Sequence, residues 1–112
     1  MPDGGSSVTI ARAVGRALAA EMALTGRRLG AEEARAAGLF SRVVPGPDLA
    51  GVAHALADAV AERPRRAVAL AKAALNAADA EVVGRALERE ARDQVELIRS
   101  AEFAQRSAAF RR

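Results

Sequence analysis

Alanine fills roughly a quarter of the chain, and this most constrains what it can fold into. Alanine is the best helix former and buries little area per residue, so close-packed helices around a thin core are favoured. The three aromatic residues are all Phe, too few to anchor a ring-packed core. At 112 residues the chain makes at most one small domain. Folded, it leaves roughly a third of its unfolded surface exposed, so apolar surface is left over for a partner.

Absences narrow the chemistry. Zero Cys excludes disulfides, thiol nucleophiles and zinc–thiolate centres, and a single His excludes the usual multi-His metal sites. No apolar run approaches the ~18 residues of a transmembrane helix. Residues 1–7 lack the basic and apolar regions of a signal peptide, so a cytoplasmic protein with no membrane partner is expected. The net charge of +3 and the pI of 10.9 raise the question of nucleic acid. Acids and bases are interleaved, however, as in Glu88-Arg89-Glu90-Ala91-Arg92-Asp93, which reads as a solvated helix face. No aromatic sits among the Arg residues to stack a base, and no nucleic-acid partner is expected.

Residues 1–7 read as a Gly/Ser-rich loop. A helix follows, with Val14, Leu18 and Met22 on one stripe, and Gly26 stops it. Arg27-Arg28-Leu29 reads as an extended link, and Ala31 to Ala37 as two helical turns closed by Gly38. Leu39 to Val44 reads as a strand cut off by Pro45-Gly46-Pro47. Asp48 is the expected N-cap of a helix whose face carries Leu49, Val52, Ala53, Leu56 and Val60. Pro64 opens the next helix, with Val68, Ala71, Leu75 and Ala78 on one stripe. A third helix, from about Glu81, carries Leu87, Ala91, Val95 and Ile98. Phe103 and Phe110 share a face of the final segment.

These stripes are first of all packing surfaces. His54 lies off its stripe with no nucleophile or ligand at helical spacing and reads as solvent-facing. Lys72 reads as a surface residue, and Glu21, between Ala20 and Met22, as partly buried and paired with an Arg.

Three stretches carry a family resemblance. Pro2-Asp3-Gly4-Gly5-Ser6-Ser7 is similar to a loop of a Pro, an acidic or small residue, then Gly-Gly-Ser/Thr. The most specific runs from Val14 through Glu21-Met22-Ala23-Leu24-Thr25-Gly26 and Ala37-Gly38-Leu39 to Arg42-Val43-Val44-Pro45. Ala71-Lys72-Ala73-Ala74-Leu75-Asn76 is similar to an "AKxxLN" helix. Together they resemble the C-terminal part of the crotonase superfamily, the enoyl-CoA hydratase/isomerase family.

The resemblance implies a mainly α chain, the C-terminal helical part of a crotonase-like α/β fold. At most two short strands are expected, at Arg27-Leu29 and Leu39-Val44. Residues 1–44 would end the core, and 45–112 would form a helical oligomerisation region of a homo-oligomer, a trimer or hexamer in the family. The substrate would be an acyl-CoA, with no metal or redox cofactor, since coenzyme A is part of the substrate. Asp3 is the candidate acid/base, moving a proton between C2 and C4 of an enoyl-CoA, with Gly4 and Gly5 turning the backbone beside the thioester. Pro-Asp-Gly-Gly is also an ordinary turn sequence. In the family, both N–H donors of the oxyanion hole lie in a preceding half, as do the two glutamates used for water addition. This chain alone is therefore expected to be inactive. The alternative is a non-catalytic helical oligomerisation module built on the Leu49–Val60 and Leu87–Ile98 seams.

Overall fold

The structure is a computed structural model describing residues 2–108. Those residues form α1 (Ser6–Val14), α2 (Arg16–Thr25), α3 (Ala31–Ala36), α4 (Leu49–Ala61), α5 (Arg65–Ala77), α6 (Ala80–Ile98) and α7 (Ala101–Ala108). A 3-10 turn, Gly46–Asp48, leads into α4. Phe110 lies outside the described residues.

The expected first helix is two helices. Gly15, at φ 83° and ψ 154°, breaks it, because this backbone conformation stops the helical hydrogen-bond ladder and suits only Gly. The start also differs, since Ser6 and Ser7 are helical rather than loop. Gly26 ends α2 in the left-handed region, its N–H donating to the Met22 carbonyl at 3.0 Å. Gly38 closes α3 as expected. Its N–H donates to the Arg35 carbonyl (3.0 Å), and the Leu39 N–H reaches back to Ala34 (2.8 Å), the paired bonds of a Schellman motif.

No strand forms among the described residues. Leu39 spends its N–H on α3, and neither Phe40–Val44 nor Arg27–Leu29 has a ladder partner, without which a strand-like sequence is only irregular chain. Asp48 is not a side-chain cap either. It sits in αR geometry inside the 3-10 turn, its N–H donating to Pro45, so the chain enters α4 already wound. Ser100 does cap α7, its Oγ accepting the Phe103 N–H at 3.1 Å.

The described chain packs as two units, one comprising residues up to Arg28 and from Val82 onward, the other Leu29–Glu81. In the first, α1 lies against α2, and the buried side chains are Ala86 and Glu90, 1% and 3% exposed. The inner face of α6 thus runs Val83, Ala86, Glu90, Gln94, at helical spacing. The expected seam is on the outside, with Leu87, Val95 and Ile98 exposed. In the second unit only Ala34 is buried, and Leu49, Leu56, Val60, Leu70 and Leu75 are exposed.

Candidate functional site

The segment Asp3-Gly4-Gly5-Ser6 is a tight turn. The Ser6 N–H donates to the Asp3 carbonyl at 3.1 Å, and the Asp3 N–H donates to Ser6 Oγ at 2.9 Å. Both central residues have positive φ, 64° at Gly4 and 81° at Gly5, a pairing that side chains other than hydrogen tolerate poorly. Gly5 is needed twice over. A Cβ there would sit 3.2 Å from Val83 Cγ1 and 3.7 Å from Leu87 Cδ2, so the turn lies directly against α6. Beside Gly4, by contrast, a Cβ would meet nothing within 4 Å.

Where this turn becomes α1, a carboxylate from the far end of the chain completes the hydrogen bonding. Glu90 Oε2 accepts the Gly5 N–H at 2.7 Å, and Oε1 accepts the Ser7 N–H at 3.1 Å. The Val8 and Thr9 N–H groups reach the Gly5 carbonyl at 3.1 and 3.0 Å. Every N–H from Gly5 to Thr9 is therefore paired, an accounting that a buried helix start requires. A negative charge there also meets the positive end of the α1 dipole. The Glu90 carboxyl is held below the ordinary carboxylate range, first by the Ser7 hydroxyl, then by the Gly5 and Ser7 N–H groups and the Arg89 charge; desolvation pushes the other way. Ser7 Oγ is buried without closing a hydrogen bond of full geometry, so its hydroxyl acts on Glu90 as a nearby dipole.

Asp3 itself is exposed. Its Oδ1 accepts the Gly4 N–H at 2.6 Å, and its Oδ2 accepts a long bond of 3.4 Å from Gln94 Nε2, one turn beyond Glu90 on α6. On either side of Asp3, Pro2 and Ser6 contribute to a groove of about 460 Å³ lined by Ile10, Ala11, Ala19 and Ala23, with Arg16 and Arg27 among its polar residues. The structure thus places Asp3, Gly4 and Gly5 in one turn, and the N–H of Gly5 is committed to Glu90.

The remaining candidates fall outside this site. His54 and Lys72 are exposed in the other unit. Glu21 pairs with Arg27 at 3.5 Å, but it is exposed rather than partly buried, because the half-buried stripe of α2 passes through Leu18 and Met22. No cluster of metal-ligating side chains occurs among the described residues.

Residues 1–111 match the family model for enoyl-CoA hydratase/isomerase. The chain belongs to that family. It is 42% identical over 78 residues to a protein of Mycobacterium bovis named probable enoyl-CoA hydratase, covering 70% of this chain and 30% of that one. A probable enoyl-CoA hydratase of Rhodobacter capsulatus is 39% identical over 110 residues, covering 98% of this chain and 43% of its own length. The crystal structure of an enoyl-CoA hydratase/isomerase from Pseudoalteromonas atlantica superposes with a TM-score of 0.93 at 34% identity, covering 98% of this chain and 44% of that one. The chain therefore spans less than half the length of these family members.

Within this hydratase/isomerase stretch, Glu90 is the residue that sequence reasoning missed. The run Glu88 to Asp93 reads as a solvated face, yet Glu90 is its one buried member. A signal was available, since Val83, Ala86 and Glu90 follow one another at i, i+3 and i+7, which puts the carboxylate on an otherwise small, apolar face.

Proposed function

We propose that this chain takes part in enolate chemistry on a coenzyme A thioester, with Asp3 as the acid/base. The carboxylate of Asp3 takes a proton from C2 of a 3-enoyl-CoA, and the electron pair delocalises onto the thioester oxygen. The same carboxyl then returns the proton to C4, giving the 2-enoyl isomer. Between the two transfers the proton rests on Asp3 and the negative charge on the thioester oxygen, so this step calls for no metal or redox group. The oxyanion donors belong to the part of the family that this chain does not span.

The observation that carries the reading is a solvent-accessible carboxylate on a turn locked to α6, within a chain matched to the family along its length. The open space beside Gly4 supports approach of a thioester to the backbone there. The exposed apolar faces of α4 and α5 support a homo-oligomer, and the absence of Cys from the sequence fits a cytoplasmic setting. Those same faces favour a second reading, a helical association module without catalysis.

Turnover separates the two. Joined to the portion of the Rhodobacter capsulatus relative that it does not span, the chain should isomerise a 3-enoyl-CoA, and Asp3→Asn should lower kcat by ~10²–10⁴. The 112-residue chain alone should turn over neither this substrate nor crotonyl-CoA. Full activity in the joined Asp3→Asn enzyme would sink the acid/base role.

A further inference from the structure

Helix α1 has given up its local N-cap. Ser or Asn at position 5 would satisfy the helix start from within the same turn, without burying a charge. The chain instead has Gly there at φ 81°, because the turn that carries Asp3 needs that conformation and a Cβ would press on the Val83 side chain at 3.2 Å. The missing acceptor is supplied by Glu90, 85 residues away in sequence, and the buried carboxylate takes two N–H groups of the turn and helix. Such an arrangement costs more than a local cap, and it ties the turn to α6 rather than only to α1.

One helical turn further along the same face, Gln94 reaches the Asp3 carboxylate itself. We infer that Glu90 and Gln94 are positioning residues for Asp3. Glu90 holds the backbone of the turn, and Gln94 steadies Oδ2 while the Gly4 N–H holds Oδ1. The inference rests on the acid/base role proposed for Asp3. Its physical basis is that a proton-transferring group must be held to a fraction of an ångström by partners that are themselves fixed. Glu90 is fixed by burial beside Ala86, and Gln94 by its place on the same helix.

The test is nuclear magnetic resonance on the full labelled chain. In the unaltered protein the Gly5 and Ser7 amides should be protected, and the Gly4 amide should show the downfield shift of a donor bonded to Asp3. A glutamine at position 90 offers one acceptor oxygen, and its NH₂ group faces a donor. Glu90→Gln should therefore speed exchange at Gly5 and Ser7 by about tenfold or more and move the Gly4 amide upfield as its bond to Asp3 loosens. Gln94→Leu should leave Gly5 and Ser7 protected while moving the Asp3 side-chain carboxyl carbon resonance, a change that loss of general stability would not produce. Should Glu90→Gln unfold the chain, Gln94→Leu decides alone. An unmoved Asp3 carboxyl resonance in Gln94→Leu, or unchanged Gly5 exchange in a folded Glu90→Gln, overturns the inference. These readouts need no turnover, so the positioning can fail while Asp3 remains catalytic. Conversely, turnover by Asp3→Asn can sink the acid/base role while the amide signals stand.

Discussion

The two packing units are organised by different physics. In the unit that holds α1, α2 and most of α6, a buried carboxylate joins residues more than eighty positions apart, and the turn it grips carries the candidate acid/base. In the unit of residues 29–81, order comes from local signals: a Schellman closure at Gly38, Pro64 opening α5, and alanine-rich helices. Its large apolar side chains stay exposed. A polar lock makes one conformation unique, whereas helix propensity makes helices without specifying what covers them.

The largest effect should come from removing the lock. Glu90→Ala strands the Gly5 and Ser7 N–H groups, at about 1–3 kcal/mol for the buried Gly5 donor and less for the part-buried Ser7. Hydrogen exchange should show α1 opening while α4 and α5 keep their protection. Equal loss of protection in both units would break the comparison, because it would make the whole chain depend on one carboxylate.

Gly5→Ala should come next. It meets the left-handed backbone penalty of about 1–2 kcal/mol and adds a Cβ 3.2 Å from Val83 Cγ1. Gly4→Ala meets the backbone penalty alone, since the space beside it is open. The difference between the two melting shifts isolates the packing of the turn against α6. Equal shifts would mean that Val83 simply moves aside.

Acid sharpens the comparison further. The folded-state pKa of Glu90 is lowered, so its contribution is fully present above the unfolded value of about 4.3 and is lost as pH falls through the folded value. Thermal melts below pH 4 should lose stability in the α1 unit first. Glu90→Gln should flatten that acid slope, and an unchanged slope would assign the pH dependence to other carboxylates.

What was legible in the sequence follows the same divide. The stops at Gly26 and Gly38 and the courses of α4, α5 and α6 were readable, because caps and periodicity act within a few residues. The Asp3-Gly4-Gly5 turn was readable too, since two consecutive glycines after an acid favour positive φ. The break at Gly15 was not, because an isolated Gly in a helical pattern is often tolerated. Leu39 to Val44 has the residues of a strand, but strand formation needs a partner that sequence composition does not supply. The role of Glu90 was hidden among alternating charges, and only its register with Val83 and Ala86 distinguishes it.

The smallest effect on stability should fall in the other unit, at Leu75. This residue is 77% exposed, beside Val60, Val68 and Ala71 in a trough of about 410 Å³ lined by α4 and α5. An exposed Leu contributes little to folding, so Leu75→Ser should change stability by no more than about 0.5 kcal/mol. Its consequence should instead appear in association. Contiguous exposed apolar surface favours contact between copies, and replacing its most exposed Leu with a hydroxyl group weakens that contact. Light scattering at micromolar concentration should find the unaltered chain self-associating and Leu75→Ser shifted toward monomer. A concentration-independent monomer for the unaltered chain would remove the homo-oligomer from the proposed function. If Leu75→Ser instead lowered the melting temperature as Gly5→Ala does, the trough would be part of the folded core. The contrast between a locked unit and an uncovered one would then fail.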